Sequence, residues 1–216
     1  MPRPTRLVGP LTRLATILLT AAIPQAAQAQ SVLNTWSSVK PPAAPKPVAV
    51  TLNPKTTALL LLDFVSQTCN ATHRPRCLAS VKPVAALLAR ARAAHATILY
   101  SYVLSGHPAD INPALAPRPG EAMVQSGPDK FLHTNLAALL RADHIRTVIV
   151  TGTAAEGAVL ATGAQAAYRG YRIILPADGL SAAHRYAEQY TIWDFLNAPF
   201  LSNRTTLTTL GEIHFR

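Results

Sequence analysis

The chain has 216 residues, of which 49% are hydrophobic and only 14% charged, and it carries a formal net charge of +10. That length suits one domain with a large buried core. The basic residues are scattered singly rather than in runs, which argues against nucleic acid or an anionic membrane surface as a partner.

The N-terminus reads as an export signal. Arg3, Arg6 and Arg13 come before any acidic residue, an apolar run occupies residues 14–23, and Ala27-Gln28-Ala29 supplies small residues ahead of Gln30. The run is far short of the roughly 20 residues a membrane span needs, and no cysteine follows the cleavage position to carry a lipid. Residues 1–29 are therefore expected to be removed and the product to be periplasmic or secreted, without a stable membrane anchor. Loss of the three arginines leaves 17 Lys and Arg against 10 Asp and Glu, a net charge of +7.

Residues 30–55 are rich in proline and alanine (Pro41, Pro42, Pro45, Pro47) and read as an extended arm. The domain is expected over residues 56–216. Ala58-Leu59-Leu60-Leu61-Leu62 is a continuous apolar run closed by Asp63, as suits a strand buried on both faces of a parallel sheet. Cys69 and Cys77 flank a segment with no apolar periodicity. In an oxidising compartment the pair is expected to form a disulfide; a free catalytic thiol at Cys69 is the competing reading.

A helix is predicted over 78–95, a strand over 97–103 and a long proline-rich loop over 105–119. Thr134 is the expected N-cap of a helix running to Asp143, with Leu136, Leu139 and Leu140 turned inward. Thr147-Val148-Ile149-Val150 is a third buried strand, ending at Thr151-Gly152. A helix of small residues spans 155–169 and stops at Gly170; a strand follows over 171–175. Tyr186, Tyr190, Trp193 and Leu196 make one stripe of a last helix, expected to face the core or a neighbouring subunit, and 205–210 can add an edge strand. Alternating strands and helices imply right-handed βαβ units and a parallel sheet covered on both faces. Ligands of such sheets bind beyond the carboxyl ends of the strands. Asp63, the Gly152–Ala158 turn and Asp178 are thus the positions to inspect.

Three segments together resemble the isochorismatase-like hydrolases, a superfamily that also holds nicotinamidases and N-carbamoylsarcosine amidohydrolase. They are LLLLDF, ending near Asp63; GPDKF with Lys130, followed by HTNLAALLR and IRTVIVTG; and TGTAAEGAVLATGAQAAYRGYRIILPADGLSA. The resemblance covers roughly residues 56–200. It implies a three-layer α/β/α fold with a mainly parallel, Rossmann-like sheet, and a triad of Asp, Lys and Cys. In that triad the aspartate takes the thiol proton, the lysine supports the charged pair and the thiol attacks a carbonyl or nitrile carbon. The first two roles fall on Asp63 and Lys130. The cysteine position, six residues after Gly152, is Ala158, whose methyl group cannot attack anything.

The isochorismatases resemble this site in having a small residue there. Their aspartate acts as a general acid that protonates a vinyl ether so that water can attack. That role needs a carboxyl group whose pKa is raised by burial. The end of an apolar strand suits this, and Lys130 opposes it. The resemblance further implies an oxyanion or ligand site at Ala154, Glu156, Gly157 and Ala158, at a helix N-terminus, with a cis peptide at Thr153–Ala154. Glu156 reads either as a base or as a cap on the helix dipole.

His107 and Asp110 lack the spacing of the nicotinamidase metal site, so neither a metal nor another cofactor is expected. The expected partners are a small-molecule substrate, shaped by the 105–126 loop, and further copies of the chain, since this family commonly oligomerises. Two readings compete: an exported hydrolase acting without a thiol, and a binding protein on a scaffold that lost its nucleophile. An Asp–Lys pair also forms in many proteins with no catalysis at all.

Overall fold

The computed structural model describes residues 31–216, so the predicted signal peptide lies outside the described residues. Residues 31–43 form a unit of their own containing a 3-10 helix at Val32–Ser38, and Ala44–Arg216 form the other. Among the described residues, the second unit carries nine strands and four α-helices. They are β1 (Val50–Leu52), β2 (Thr57–Leu62), α1 (Pro75–Ala93), β3 (Thr97–Tyr102), β4 (Ala122–Gln125), α2 (Leu136–Ala142), β5 (Thr147–Thr153), α3 (Leu160–Tyr168), β6 (Arg172–Pro176), β7 (Leu180–Ser181), α4 (Arg185–Asn197), β8 (Thr205–Thr208) and β9 (Ile213–Phe215).

The main sheet runs β4-β3-β2-β5-β6-β8, with β7 paired to the end of β5, and every one of these pairings is parallel. The apolar run of β2 is buried along its whole length, and its alternation sorts side chains to two cores. Ala58, Leu60 and Leu62 join Val148, Val150 and Ile173 under α2, α3 and α4, through Leu136, Leu140, Ala166, Ala167 and Phe195. Leu59 and Leu61 join Ile149 and Ile174 on the other face, against Val84, Leu87 and Leu88 of α1. A central strand with apolar groups on both sides can sit only between two such layers. The result is the expected three-layer α/β/α arrangement.

Several elements differ from expectation. The last part of the predicted arm is strand β1, which pairs in parallel with β9 at the far end of the chain and buries Leu52 in the α1-side core. The long loop after β3 gives way to β4, because Leu99 to Tyr102 leave an open edge that Ala122 to Gln125 pair with. Helix α1 starts at Pro75, a residue suited to the first helical position because its missing N–H would have no helical partner. Cys77 therefore lies in the first turn of α1 rather than in the loop. Helix α2 begins at Leu136, and Thr134 still accepts the Leu136 amide at 3.2 Å. Leu139 is only partly buried, whereas Leu136 and Leu140 point into the core. Of the expected stripe, Tyr186, Tyr190 and Trp193 are solvent-exposed on this chain and are not core, whereas Leu196 is partly buried against it.

Two glycines set close approaches. A Cβ on Gly163 of α3 would overlap the ring of Phe195 on α4, so only glycine lets these helices meet. Gly152, with φ of +145°, lies opposite Leu62 in the β2–β5 ladder. Both glycines lie along the third segment, Gly163 at a helix–helix contact and Gly152 at a strand–strand contact.

Candidate active site

Asp63 is the first residue after β2, at the carboxyl edge of the sheet, and is 4% exposed. Its φ of +56° is left-handed, a conformation that aspartate adopts more readily than most side chains. The main chain there is held on both sides: the Asp63 amide donates to the Ser101 carbonyl at 3.2 Å, and the Asp63 carbonyl accepts from the Thr68 hydroxyl. The carboxylate accepts from the Ser101 hydroxyl at 2.7 Å on Oδ1 and faces the Lys130 ammonium at 2.8 Å on Oδ2.

Lys130 has no solvent exposure. Its Nζ also donates to the Ser126 carbonyl at 3.1 Å. Its backbone is pinned from both sides, by its own amide to Thr162 Oγ1 at 3.2 Å and by the Thr134 hydroxyl to its carbonyl. Thr162 belongs to α3, so the loop carrying Lys130 is anchored to the helix that follows β5. A buried ammonium requires such partners, since removal from water without them is very costly.

Burial pushes the Asp63 carboxyl above its ordinary value, and it outweighs Lys130, the Ser101 hydroxyl and Arg74, which all pull the other way. The opposition expected between burial and Lys130 is therefore decided in favour of burial. A carboxyl group in this state can hold a proton under milder conditions than a free aspartate.

The turn after β5 supplies the opposite wall. Thr153–Ala154 is a cis peptide, at the bond the sequence singled out. Ala155–Val159 form a π-helical turn that leads into α3, an irregularity that often marks functional sites. The Gly157 and Val159 amides both return to the Ala154 carbonyl, at 3.0 and 3.2 Å, so the Gly157 N–H is already engaged. Ala158 is 3% exposed and lines a pocket of about 410 Å³ together with Asp63, Ala154 and Gly157. Glu156 is exposed and is not among the residues lining that pocket, as suits a charge at a helix N-terminus rather than a base. Asp178 accepts the Leu210 amide at 2.7 Å, holding a turn, and is not among the residues lining the pocket.

Cys69 and Cys77 are joined by a disulfide. They are the chain's two cysteines, so neither offers a thiol, and the reading of Cys69 as a nucleophile is overturned. Asp110 accepts from the His107 amide and from Gln67, capping a short turn. Among the described residues, no group of three or more His, Cys, Asp or Glu side chains converges as metal ligands would.

Sequence reasoning did not single out Ser101, Ser126, Thr68 or Arg74. Ser101 could have been found, because it is a polar residue at the carboxyl end of a buried strand, the same signal that marks Asp63. The other three reach the pocket from loops, and no periodicity announces them.

Residues 57–205 match the isochorismatase domain. Over 90 residues the chain is 32% identical to N-carbamoylsarcosine amidase from Arthrobacter sp., an overlap of 41% of this chain and 34% of that protein; the chain thus spans about a third of the length of this curated relative. Among solved structures, a cysteine hydrolase from Pseudomonas syringae pv. phaseolicola 1448A is similar with a TM-score of 0.67 at 21% identity, over 78% of this chain and 96% of that one. N-carbamoylsarcosine amidase from Thermoplasma acidophilum is similar at 0.61 and 22% identity, over 72% and 96% respectively. At this level of identity the likeness concerns the fold, and it agrees with the parallel sheet and flanking helices described above.

Proposed function

The chain belongs to the isochorismatase family, a family of hydrolases, and from that premise we propose that it hydrolyses a small polar molecule through Asp63 and Lys130 without a thiol nucleophile. The observation that carries this reading is the buried Asp63–Lys130 pair on a pocket whose nucleophile position is Ala158, in a chain with no free cysteine. Acid catalysis is favoured over amidase chemistry. The raised Asp63 carboxyl gives its proton to the alkene carbon of a vinyl ether, water adds to the resulting oxocarbenium carbon, and the water's proton returns to Asp63. The hemiketal then separates into a ketone and an alcohol. Lys130 holds the carboxylate while it is charged, and the backbone at Ala154 and Ala158 faces the reacting group across the pocket.

Purified protein assayed on vinyl ethers, amides and ureas tests this reading. Vinyl ether hydrolysis is expected, falling at least about 100-fold in Asp63→Asn. Activity unchanged in that variant would remove Asp63 from the reaction.

A second reading, a binding protein that does no chemistry, is favoured by Ala158 itself. Ala158→Cys separates the two. Amidase activity gained by that variant, with no hydrolysis of any kind in the parent, supports the binding protein.

Export is part of the proposal, supported by the signal-like residues 1–29 and by a disulfide, a bond typical of oxidising compartments. Cell fractionation and N-terminal sequencing are expected to find a product beginning at Gln30 outside the cytoplasm. Self-association is also proposed, supported by the exposed Tyr186, Tyr190 and Trp193 of α4, and light scattering checks it.

A further inference from the structure

The pocket carries one cation that the proposed chemistry leaves unused. Its lining contains two charged side chains, Asp63 and Arg74. The Asp63 charge is answered by Lys130 at 2.8 Å, whereas Arg74 has no carboxylate partner among the described residues. A guanidinium has five N–H donors. Here Nη1 donates to the Thr68 carbonyl at 3.2 Å, and Nε is buried with no partner. Nη2 makes no hydrogen bond among the described residues and, unlike Nε, is not enclosed, so it is the donor left open to a ligand acceptor.

Arg74 is also held in place more firmly than a surface arginine needs to be. It immediately precedes α1, between the two half-cystines, so the disulfide spans the turn that presents it. Its amide donates to the Asn70 carbonyl at 3.0 Å, and its carbonyl accepts from the Cys77 amide at 2.9 Å. The side chain does not cap the helix it precedes.

We propose that Arg74 is the recognition residue for a carboxylate on the ligand of this pocket, so that the substrate is a small monoanion. This deepens the hydrolase reading and rests on it for the word substrate. A planar fork with several free N–H groups matches a carboxylate. Among the described residues Arg74 is the one cation lining the pocket, while the fully buried Lys130 is engaged with Asp63 and the Ser126 carbonyl, so the lining answers a single negative charge, which suits a monoanion better than a phosphate dianion. Val103, Leu104, Pro128 and Ala158 supply apolar wall for the remainder of the molecule.

Calorimetry on the full chain with benzoate and benzamide, cyclohexanecarboxylate and its amide, and inorganic phosphate tests the assignment. Each carboxylate is expected to bind at least about tenfold more tightly than its amide. Arg74→Gln is expected to abolish that preference while leaving amide binding unchanged, and Arg74→Lys to keep part of it. No carboxylate preference in the parent, an undiminished preference in Arg74→Gln, or phosphate binding tighter than either carboxylate would each overturn the proposal. If Arg74→Gln does not fold, Arg74→Lys decides: an intermediate loss supports the fork, and affinity equal to the parent's refutes it. Asp63→Asn is expected to retain the carboxylate preference. Failure of the hydrolase reading therefore appears in turnover, and failure of this one in binding.

Discussion

Leu62 and Gly152 lie directly opposite one another in the β2–β5 ladder, and a methyl group on Gly152 would overlap the Leu62 carbonyl oxygen. Leu62 is the residue before Asp63, and Gly152 comes just ahead of the Thr153–Ala154 bond. The two walls of the pocket are thus joined at one backbone contact that tolerates no side chain, and the φ of +145° at Gly152 reinforces the requirement. Gly152→Ala is expected to lower stability by about 3 kcal/mol or more. Urea denaturation checks this as a drop in the midpoint at unchanged slope.

The Asp63–Lys130 pair has separable structural and chemical roles. Asp63→Asn leaves a fully buried ammonium without its counter-charge and is expected to cost about 3 kcal/mol. The double variant Asp63→Leu with Lys130→Met is expected to recover most of that stability while remaining inert towards every substrate. Thermal melts and activity assays on the same three proteins check both halves.

Asp63 also predicts a pH profile. If its proton is the catalytic one, kcat/KM is high while the carboxyl is protonated and falls as pH rises through its raised folded-state pKa. Stability follows the same sign. Between the ordinary value of 3.8 and the raised one, the folded state holds a proton that the unfolded chain has lost, so stability declines as pH rises across that window. A pH–rate profile whose alkaline limb vanishes in Asp63→Asn residual activity, combined with pH-dependent melts, checks this.

The disulfide closes the segment that leads into α1, and both of its half-cystines are buried in the α1-side core. Replacing Cys69 and Cys77 with serine is expected to lower stability by about 2–3 kcal/mol. Reductant added to the parent should shift its melting temperature towards that of the variant, and have no effect on the variant itself.

At the other end of the sheet, Glu121 accepts from Arg92 Nε at 2.8 Å, Arg92 Nη2 at 2.7 Å and the Arg118 amide at 2.7 Å. Burial pushes its carboxyl up, yet the Arg92 fork, the Arg118 amide and Tyr100 together hold it below its ordinary value. Its stabilisation is therefore present above the ordinary glutamate value of 4.5 and is lost as pH falls through the lower folded-state value. Glu121→Gln is expected to cost about 1–2 kcal/mol at neutral pH. In melts across pH, the gap between variant and parent should close only in strongly acidic buffer.

Some of this molecule is determined by the sequence by itself. Leu59 to Leu62 and Val148 to Val150 can be buried only between two layers, and the alternation of strands with helices then leaves a parallel sheet with its ligand site at the carboxyl edge. Asp63 is legible as the polar residue that closes an apolar strand, whereas Lys130 and Ala158 are legible only through the resemblance of their segments to the isochorismatase-like hydrolases. The absence of a thiol nucleophile at Ala158 follows from the side chain alone. What only the tertiary structure decided depends on groups far apart in the chain. The pairing of β1 with β9, and of β4 with the edge left by β3, joins segments far apart in the chain, and strands of three or four residues carry too little pattern to announce it. Burial had to be weighed against Lys130 before the direction of the Asp63 shift was known, and burial is a property of the packed neighbours. Arg74 enters the pocket only because a disulfide and the first turn of α1 bring it there. In the sequence it is one more single basic residue, and in the fold it is the pocket's unpaired cation.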